Sequence, residues 1–265
     1  MTQQLRRVLP RRPRRVIGRQ LRRVKGRFRP NPFDGPGTPE ETWAAWPGLQ
    51  QLPVLDPRTW PSVAVIAPHP DDEILATGGM MAVMAAAGVR LRLIAITDGE
   101  ASHPGDDPAV TARTRAAESA AAREALGAQD VEVIRLRMPD TGVAQCENEL
   151  TSTLRELCAG FHACLAPWVK DAHPDHAAAG RAARRVSENV LYYPIWMWQW
   201  AKPADRRVPW HRACQIALPA EVAARKRSAI LAFTSQLTDR GGDMGPILPT
   251  GFIAHFTRQQ EILLR

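Results

Sequence analysis

Between residues 62 and 195, short β-branched or apolar runs alternate with Ala-rich stretches in which polar and apolar positions recur at helical spacing. The runs VAVIAP (63–68), LRLIAIT (91–97), VEVIRL (131–136), ACLAP (163–167) and NVLYYPI (189–195) read as strands, with helices over 73–88, 109–126, 146–160 and 175–187. Such alternation marks βαβ units. It predicts an α/β fold, Rossmann-like, in which a mainly parallel twisted sheet is flanked by helices. After Pro194 the C-terminal part is less regular: Trp196, Trp198 and Trp200 alternate as on a strand, and a last helix fits 220–235. Core packing is the favoured reading of these tryptophans, and a sugar-stacking wall on one strand face is the alternative.

With 265 residues, 45% of them hydrophobic, the chain can bury the core of one domain with small additions. No segment approaches the run of about 18 apolar residues that crosses a bilayer, so a soluble protein is expected. The formal charge of +8 suggests nucleic acid until its position is traced. Residues 1–33 hold 12 Lys/Arg and no acid, which leaves 23 basic against 27 acidic side chains, a charge of −4, over the remainder. Three regions follow: a basic, flexible arm over 1–33, a Pro/Trp-containing linker over 34–61, and the domain proper over 62–265. A solvated tail is the plainer reading of the arm; the functional one is contact with anionic lipid headgroups, RNA or an acidic partner. A folded part that is mildly acidic gives no reason to expect a specific nucleic-acid partner. Cys146, Cys158, Cys164 and Cys214 form no CxxC pair, and no apolar targeting segment follows the basic start. Free thiols and a cytoplasmic location, peripheral at the membrane if the arm engages it, are therefore expected.

The chemistry lies in two clusters. The first strand ends in Pro68-His69-Pro70-Asp71-Asp72-Glu73, an imidazole and three carboxylates where a parallel strand hands over to a helix, the sheet edge at which open α/β folds bind ligands. Taken alone, these acids are equally well read as cap and first-turn residues favoured by the helix dipole. The second cluster, His173-Pro174-Asp175-His176 after ACLAP, repeats the His-Pro-Asp core at another strand-to-helix junction. Two such clusters on one edge point to a shared metal. Two imidazoles and a carboxylate suit Zn²⁺ with positions left open for water, the arrangement of a catalytic site.

The pair HPDDE and HPDH resembles the motifs of the PIG-L/LmbE-like N-deacetylases, which include enzymes of the glycosylphosphatidylinositol and mycothiol pathways. The likeness covers roughly 62–236 and takes in TDGE (97–100), Arg115 with Glu118, PDTG (139–142) and Ser235-Gln236. It implies His69, Asp72 and His176 as zinc ligands and Asp71 as general base. His173 then becomes the cation that steadies the oxyanion and protonates the leaving amine, with a cap residue as its plainer reading. Arg115 and Asp140 are similar to positions that hold substrate hydroxyl groups, the alternatives being a structural ion pair or a turn residue. Fe²⁺ fits the same ligands. Asp98 either lines the same crevice or caps the loop after it, and Glu73 is left to the helix start or the surroundings of the site. Where part of the family has a tyrosine two residues before the HPDH histidine, this chain has Asp171.

The reaction so implied is hydrolysis of an N-acyl, chiefly N-acetyl, amide on a small-molecule or lipid-linked amino sugar. An amidase acting on another small amide metabolite would use every residue just named. A non-catalytic membrane- or RNA-associated adaptor, bound through the arm, is the reading from another class; the intact His69, Asp71, Asp72, His173 and His176 argue against it.

Overall fold

The computed structural model describes residues 35, 37–241 and 245–265; the expected basic arm, 1–33, lies outside them. Strands β1 Ser62–Ala67, β2 Arg90–Ala95, β3 Glu132–Arg135, β4 Ala163–Pro167, β5 Val190–Tyr193, β6 Ala213–Ala217 and β7 Gln260–Leu264 form one sheet in the order β3-β2-β1-β4-β5-β7-β6. The first five run parallel, with Val63 opposite Leu91 on one side and Ala163 on the other, while β7 runs antiparallel between β5 and β6. Helices α1 Glu40–Ala44, α2 Pro47–Gln50, α3 Asp72–Ala86, α4 Pro108–Leu126, α5 Glu147–Leu157, α6 Pro174–Val186, α7 Met197–Trp200, α8 Ala220–Ile230, α9 Thr234–Leu237 and α10 Thr250–Ile253 complete the described chain.

Successive strand side chains point to opposite faces, and here both faces are covered. Val63, Val65, Leu93 and Leu165 pack with Ile74, Met80 and Met84 of α3 and with Val222 and Ile230 of α8. Ala64, Ile66, Ile94 and Ala166 pack on the other face with Leu150 and Leu154 of α5 and Ala178 and Ala182 of α6. Burial on both faces is why β1 and β4 are almost wholly apolar instead of alternating, whereas β2 keeps Arg90 and Arg92 among its apolar positions. Helix α3 lies between the sheet and α4 and α8, and its side chains are buried from Asp72 to Ala82.

Four expectations need revision or addition. The tryptophans at 196, 198 and 200 are not on a strand: Met197–Trp200 is helical, and Trp198 is core, in edge contact with Trp43 at 5.0 Å. The last long helix stops at Ile230, and Thr234–Leu237 is a separate turn. Strands β6 and β7 are additions to the expected five. The stretch read as a Pro/Trp-containing linker supplies Trp43, Leu49 and Leu52 to the core, and Trp43 Nε1 donates to the Trp198 carbonyl at 3.1 Å. Among the described residues no helix is long and apolar enough to cross a membrane, and all four cysteines are free.

Candidate metal centre and active site

Strands β1 and β4 are neighbours, but their crossovers leave in opposite directions, α3 leading outward to β2 and α6 to β5. That divergence is the topological switch point, where an α/β sheet opens a crevice at the carboxyl ends of its strands. Both His/Asp clusters sit there because one follows β1 and the other follows β4. Asp71 is the N-cap of α3 at φ 150°, a value rare outside glycine, and the following turn brings in Asp72. His173 is the N-cap of α6, with Pro174 at the first helical position. The helix can approach β4 closely because Gly180 faces the Pro167 carbonyl, where a Cβ would sit 2.5 Å from the oxygen.

Three donor atoms converge. His69 Nδ1 lies 3.1 Å from Asp72 Oδ2 and 3.3 Å from His176 Nε2, and His176 Nε2 lies 3.3 Å from Asp72 Oδ2. Donors bound tetrahedrally to zinc at about 2.0 Å stand about 3.3 Å apart, so this trio has the dimensions of one face of such a site. The outer nitrogens of both rings look onto carboxylates. His176 Nδ1 donates to Asp171 Oδ2 at 2.8 Å, and His69 Nε2 faces Asp140 Oδ1 at 3.3 Å and Asp175 Oδ2 at 3.5 Å, close in charge but poorly aligned for a hydrogen bond. Carboxylates placed behind imidazoles in this way fix the tautomer of a metal-binding histidine. His69 also belongs to two looser groupings, one with His173 and His176 and one with Asp140 and Asp175, whose donors lie within 4.8 Å of one another. The tighter trio is the better fit, because Asp140 and Asp175 meet the opposite nitrogen of His69 and His173 is engaged in capping.

Electrostatics agree with that geometry. Burial pulls the His176 pKa down, but Asp72 and Asp171 outweigh it and raise the group to about 9. Burial likewise pulls the His69 pKa down, but Asp140, Asp175 and Asp72 overcome it, and the group ends well above its usual value. Buried carboxylates thus make a well of negative potential that protons fill when no other cation does, and a metal competes with those protons for the same atoms.

Asp71, 6% exposed, adjoins the trio without joining it. Its Oδ2 accepts from Arg115 Nη2 at 2.9 Å, and burial pushes its carboxyl up to about 7 against the pull of Arg115. Arg115 is itself buried, donating to the Pro70 carbonyl at 2.9 Å and the Gly99 carbonyl at 3.1 Å; Gly99, at φ 66°, leaves the guanidinium space that a Cβ would fill. Glu118 does not pair with Arg115. It accepts from Thr234 Oγ1, Ser235 N and Ser235 Oγ, tying α4 to α9. His173 Nδ1 accepts the Asp175 amide at 3.2 Å, which leaves the ring proton on Nε2, and burial together with His176 and His69 holds its pKa down to about 3.

The expected site residues therefore divide. His69, Asp71, Asp72, His173 and His176 come together, and Asp140 joins them through His69 while accepting the Ala101 amide at 2.9 Å. Arg115 reaches the group only through Asp71. Asp98 stands apart, paired with Arg135 at 2.7 Å beyond the end of β2. Sequence reasoning missed the roles of Asp171 and Asp175. Asp171 is fully buried and also accepts the amides of Ile195, Trp196 and Met197, so one carboxylate both orients His176 and starts α7. Its signal was its place between β4 and the HPDH motif.

Fold and site together define a doubly wound α/β protein with a His₂Asp donor set at its switch point. Residues 64–187 match the family described as PIG-L: GlcNAc-PI de-N-acetylase. A conserved protein from Thermus thermophilus is similar at 28% identity and a TM-score of 0.51, over 66% of this chain and 80% of that one. N,N'-diacetylchitobiose deacetylase from Pyrococcus horikoshii is similar at 18% identity and a TM-score of 0.54, over 76% and 80%. The zinc inhibited form of teicoplanin deacetylase is similar at 17% and 0.52, over 69% and 87%. At these last two identities the likeness is one of fold.

Proposed function

We propose that this chain is a metal-dependent N-deacetylase that hydrolyses an N-acyl, chiefly N-acetyl, amide on an amino-sugar-containing glycan, glycolipid or glycosylated metabolite. The observation that carries this reading is the convergence of His69 Nδ1, Asp72 Oδ2 and His176 Nε2 within 3.3 Å beside a buried Asp71, inside the stretch that matches the PIG-L family. Fold neighbours named for deacetylation of diacetylchitobiose and teicoplanin support it.

His69, Asp72 and His176 would hold Zn²⁺ or Fe²⁺, which when bound polarises a carbonyl and makes water more acidic. In this reading Asp71 takes a proton from the attacking water and returns it to the departing amine. Arg115 keeps the Asp71 carboxylate aimed and does not itself touch substrate. His173, with Nδ1 committed to the Asp175 amide, points its Nε2–H at the developing oxyanion as a neutral donor, not as the cation expected from the family pattern. Asp140 orients His69 and holds the 99–102 loop, on which substrate hydroxyl groups would rest. Asp98, held by Arg135, is left out of the chemistry. The reaction is assigned to the cytoplasm, with residues 1–33 able to meet an anionic membrane surface.

The test is amine release from a panel of N-acyl amino-sugar glycosides by metal-reconstituted protein. We expect chelation to abolish release, metal to restore it, and Asp71→Ala to reduce it by about 100-fold or more while retaining metal. Release that persists in Asp71→Ala, or no release from any glycoside by metal-loaded protein, would overturn the assignment.

A further inference from the structure

Trp168, Val169 and Lys170, on the same turn that carries Asp171 into the metal centre, line a separate cleft of about 550 Å³. Its floor is apolar, with Trp168, Val208 and Leu264 all buried. Its rim is cationic: Lys170, Arg184, Arg206, Arg207, Arg212 and Arg265 face it against one acidic side chain, Glu188. Arg207 is forked onto Asp205 and lies over the Trp200 ring. Among the described residues the other five have no carboxylate within ion-pair distance, and what sets them apart from other exposed arginines is that they are gathered round one concavity. General basicity does not account for this, because residues 34–265 carry a formal charge of −4. Half-buried Tyr192 also lines the cleft; burial raises its phenol pKa, while Arg184 and Arg212 stand close enough to pull it back.

We propose that this cleft binds the phosphate group of an organic phosphate, with Arg184, Arg212 and the Tyr192 hydroxyl as its donors and the apolar floor taking the carbon skeleton. Guanidinium groups match phosphate in geometry as well as charge. Unpaired like charges held round one concavity repel each other, so an anion there relieves strain that no protein carboxylate relieves. The phosphate could belong to a soluble sugar phosphate or to a phospholipid headgroup, and these are separated experimentally.

Full-length protein is titrated calorimetrically with glucose 6-phosphate, with glucose as control, and sedimented with phosphatidylcholine vesicles with and without phosphatidic acid. The variant Arg184→Ala/Arg212→Ala is compared with Arg225→Ala/Arg227→Ala, which removes the same charge from exposed positions on α8. Loss of two charge-assisted contacts should weaken binding by about tenfold or more in the first variant, with the second close to the parent. Selective loss for glucose 6-phosphate assigns the site to a soluble phosphate; selective loss for phosphatidic acid vesicles alone assigns it to a headgroup. Residues 1–33 are present in all proteins, so their own attraction to vesicles is common background. Equal losses in the two variants, or no binding of either phosphate, overturn the proposal. None of these residues belongs to the metal centre, so failure here leaves the deacetylase assignment standing.

Discussion

At the residue scale, the arrangement turns on Arg115, which had been expected to meet substrate and instead is enclosed, 3% exposed, with hydrogen bonds to Asp71, Pro70 and Gly99. A guanidinium so placed neutralises a carboxylate that burial would otherwise protonate, and it fixes which oxygen of Asp71 remains available. Removing one partner of a buried pair leaves the other charge uncompensated, at a cost of about 3–5 kcal/mol. Arg115→Ala should therefore lower stability to urea by about that amount and reduce kcat, with KM nearly unchanged. Arg115→Lys keeps the charge but loses the fork to the two carbonyls, and should fall between. A residue that held substrate hydroxyl groups would behave otherwise: KM would rise and unfolding would be unaffected. Urea titration with steady-state kinetics on both variants separates the two roles.

At the scale of elements, the turn between β4 and α6 has the most consequence, because Asp171 joins it to both the metal centre and α7. Asp171→Asn replaces an acceptor-only group by one that must present an amide donor to His176 Nδ1–H or to the backbone amides it now receives. We expect Zn²⁺ affinity, measured by competition with a chromogenic chelator, to fall about 10- to 100-fold; unchanged affinity would remove Asp171 from the site. The same residue explains a limit of the sequence. The alternation of Trp196, Trp198 and Trp200 is real, but the carboxylate of Asp171 holds three consecutive amides and starts a helical turn that no local pattern announces. Strands β1 and β4 were legible because they are covered on both faces and so read as short apolar runs, while β2, β3 and β5, partly exposed, were legible from β-branched, leucine and aromatic positions set among polar or less buried ones. Strand β7 was not, since QEILL is partnered by residues far away in the chain and its Glu261 is spent inside, bridging Lys226 and the Gly79 and Met80 amides. The His/Asp clusters were legible as motifs. Which carboxylate faces which nitrogen depends on distances between β1 and β4 that a sequence does not contain.

At the scale of the whole molecule, the PIG-L match ends at residue 187, before β5, although it encloses every atom of the donor trio. The sheet beyond it and the helices α8 to α10 must be held to the rest by contacts distant in sequence, and one of the charged ones is made by Glu40 of α1. Its carboxylate accepts from His255 Nδ1 at 2.6 Å and from Arg258 Nε at 2.6 Å, while Arg258 lies over the Trp198 ring at 4.1 Å. Burial tends to raise the Glu40 pKa, but His255 and Arg258 prevail and lower it from 4.5. A carboxyl whose folded pKa is depressed binds fewer protons folded than unfolded, so its stabilisation is complete above the unfolded value and lost as the pH falls through the folded one. Glu40→Gln should therefore cost about 1–2 kcal/mol at neutral pH, a charge-assisted contact discounted for its partial exposure. The gap between parent and variant should stay constant down to about 4.5 and close below it. Urea unfolding of both proteins across that range is the measurement. A gap that persists in acid would mean that Glu40 holds α1 to the C-terminal segment by shape and hydrogen bonding that survive its protonation, and that its charge contributes nothing.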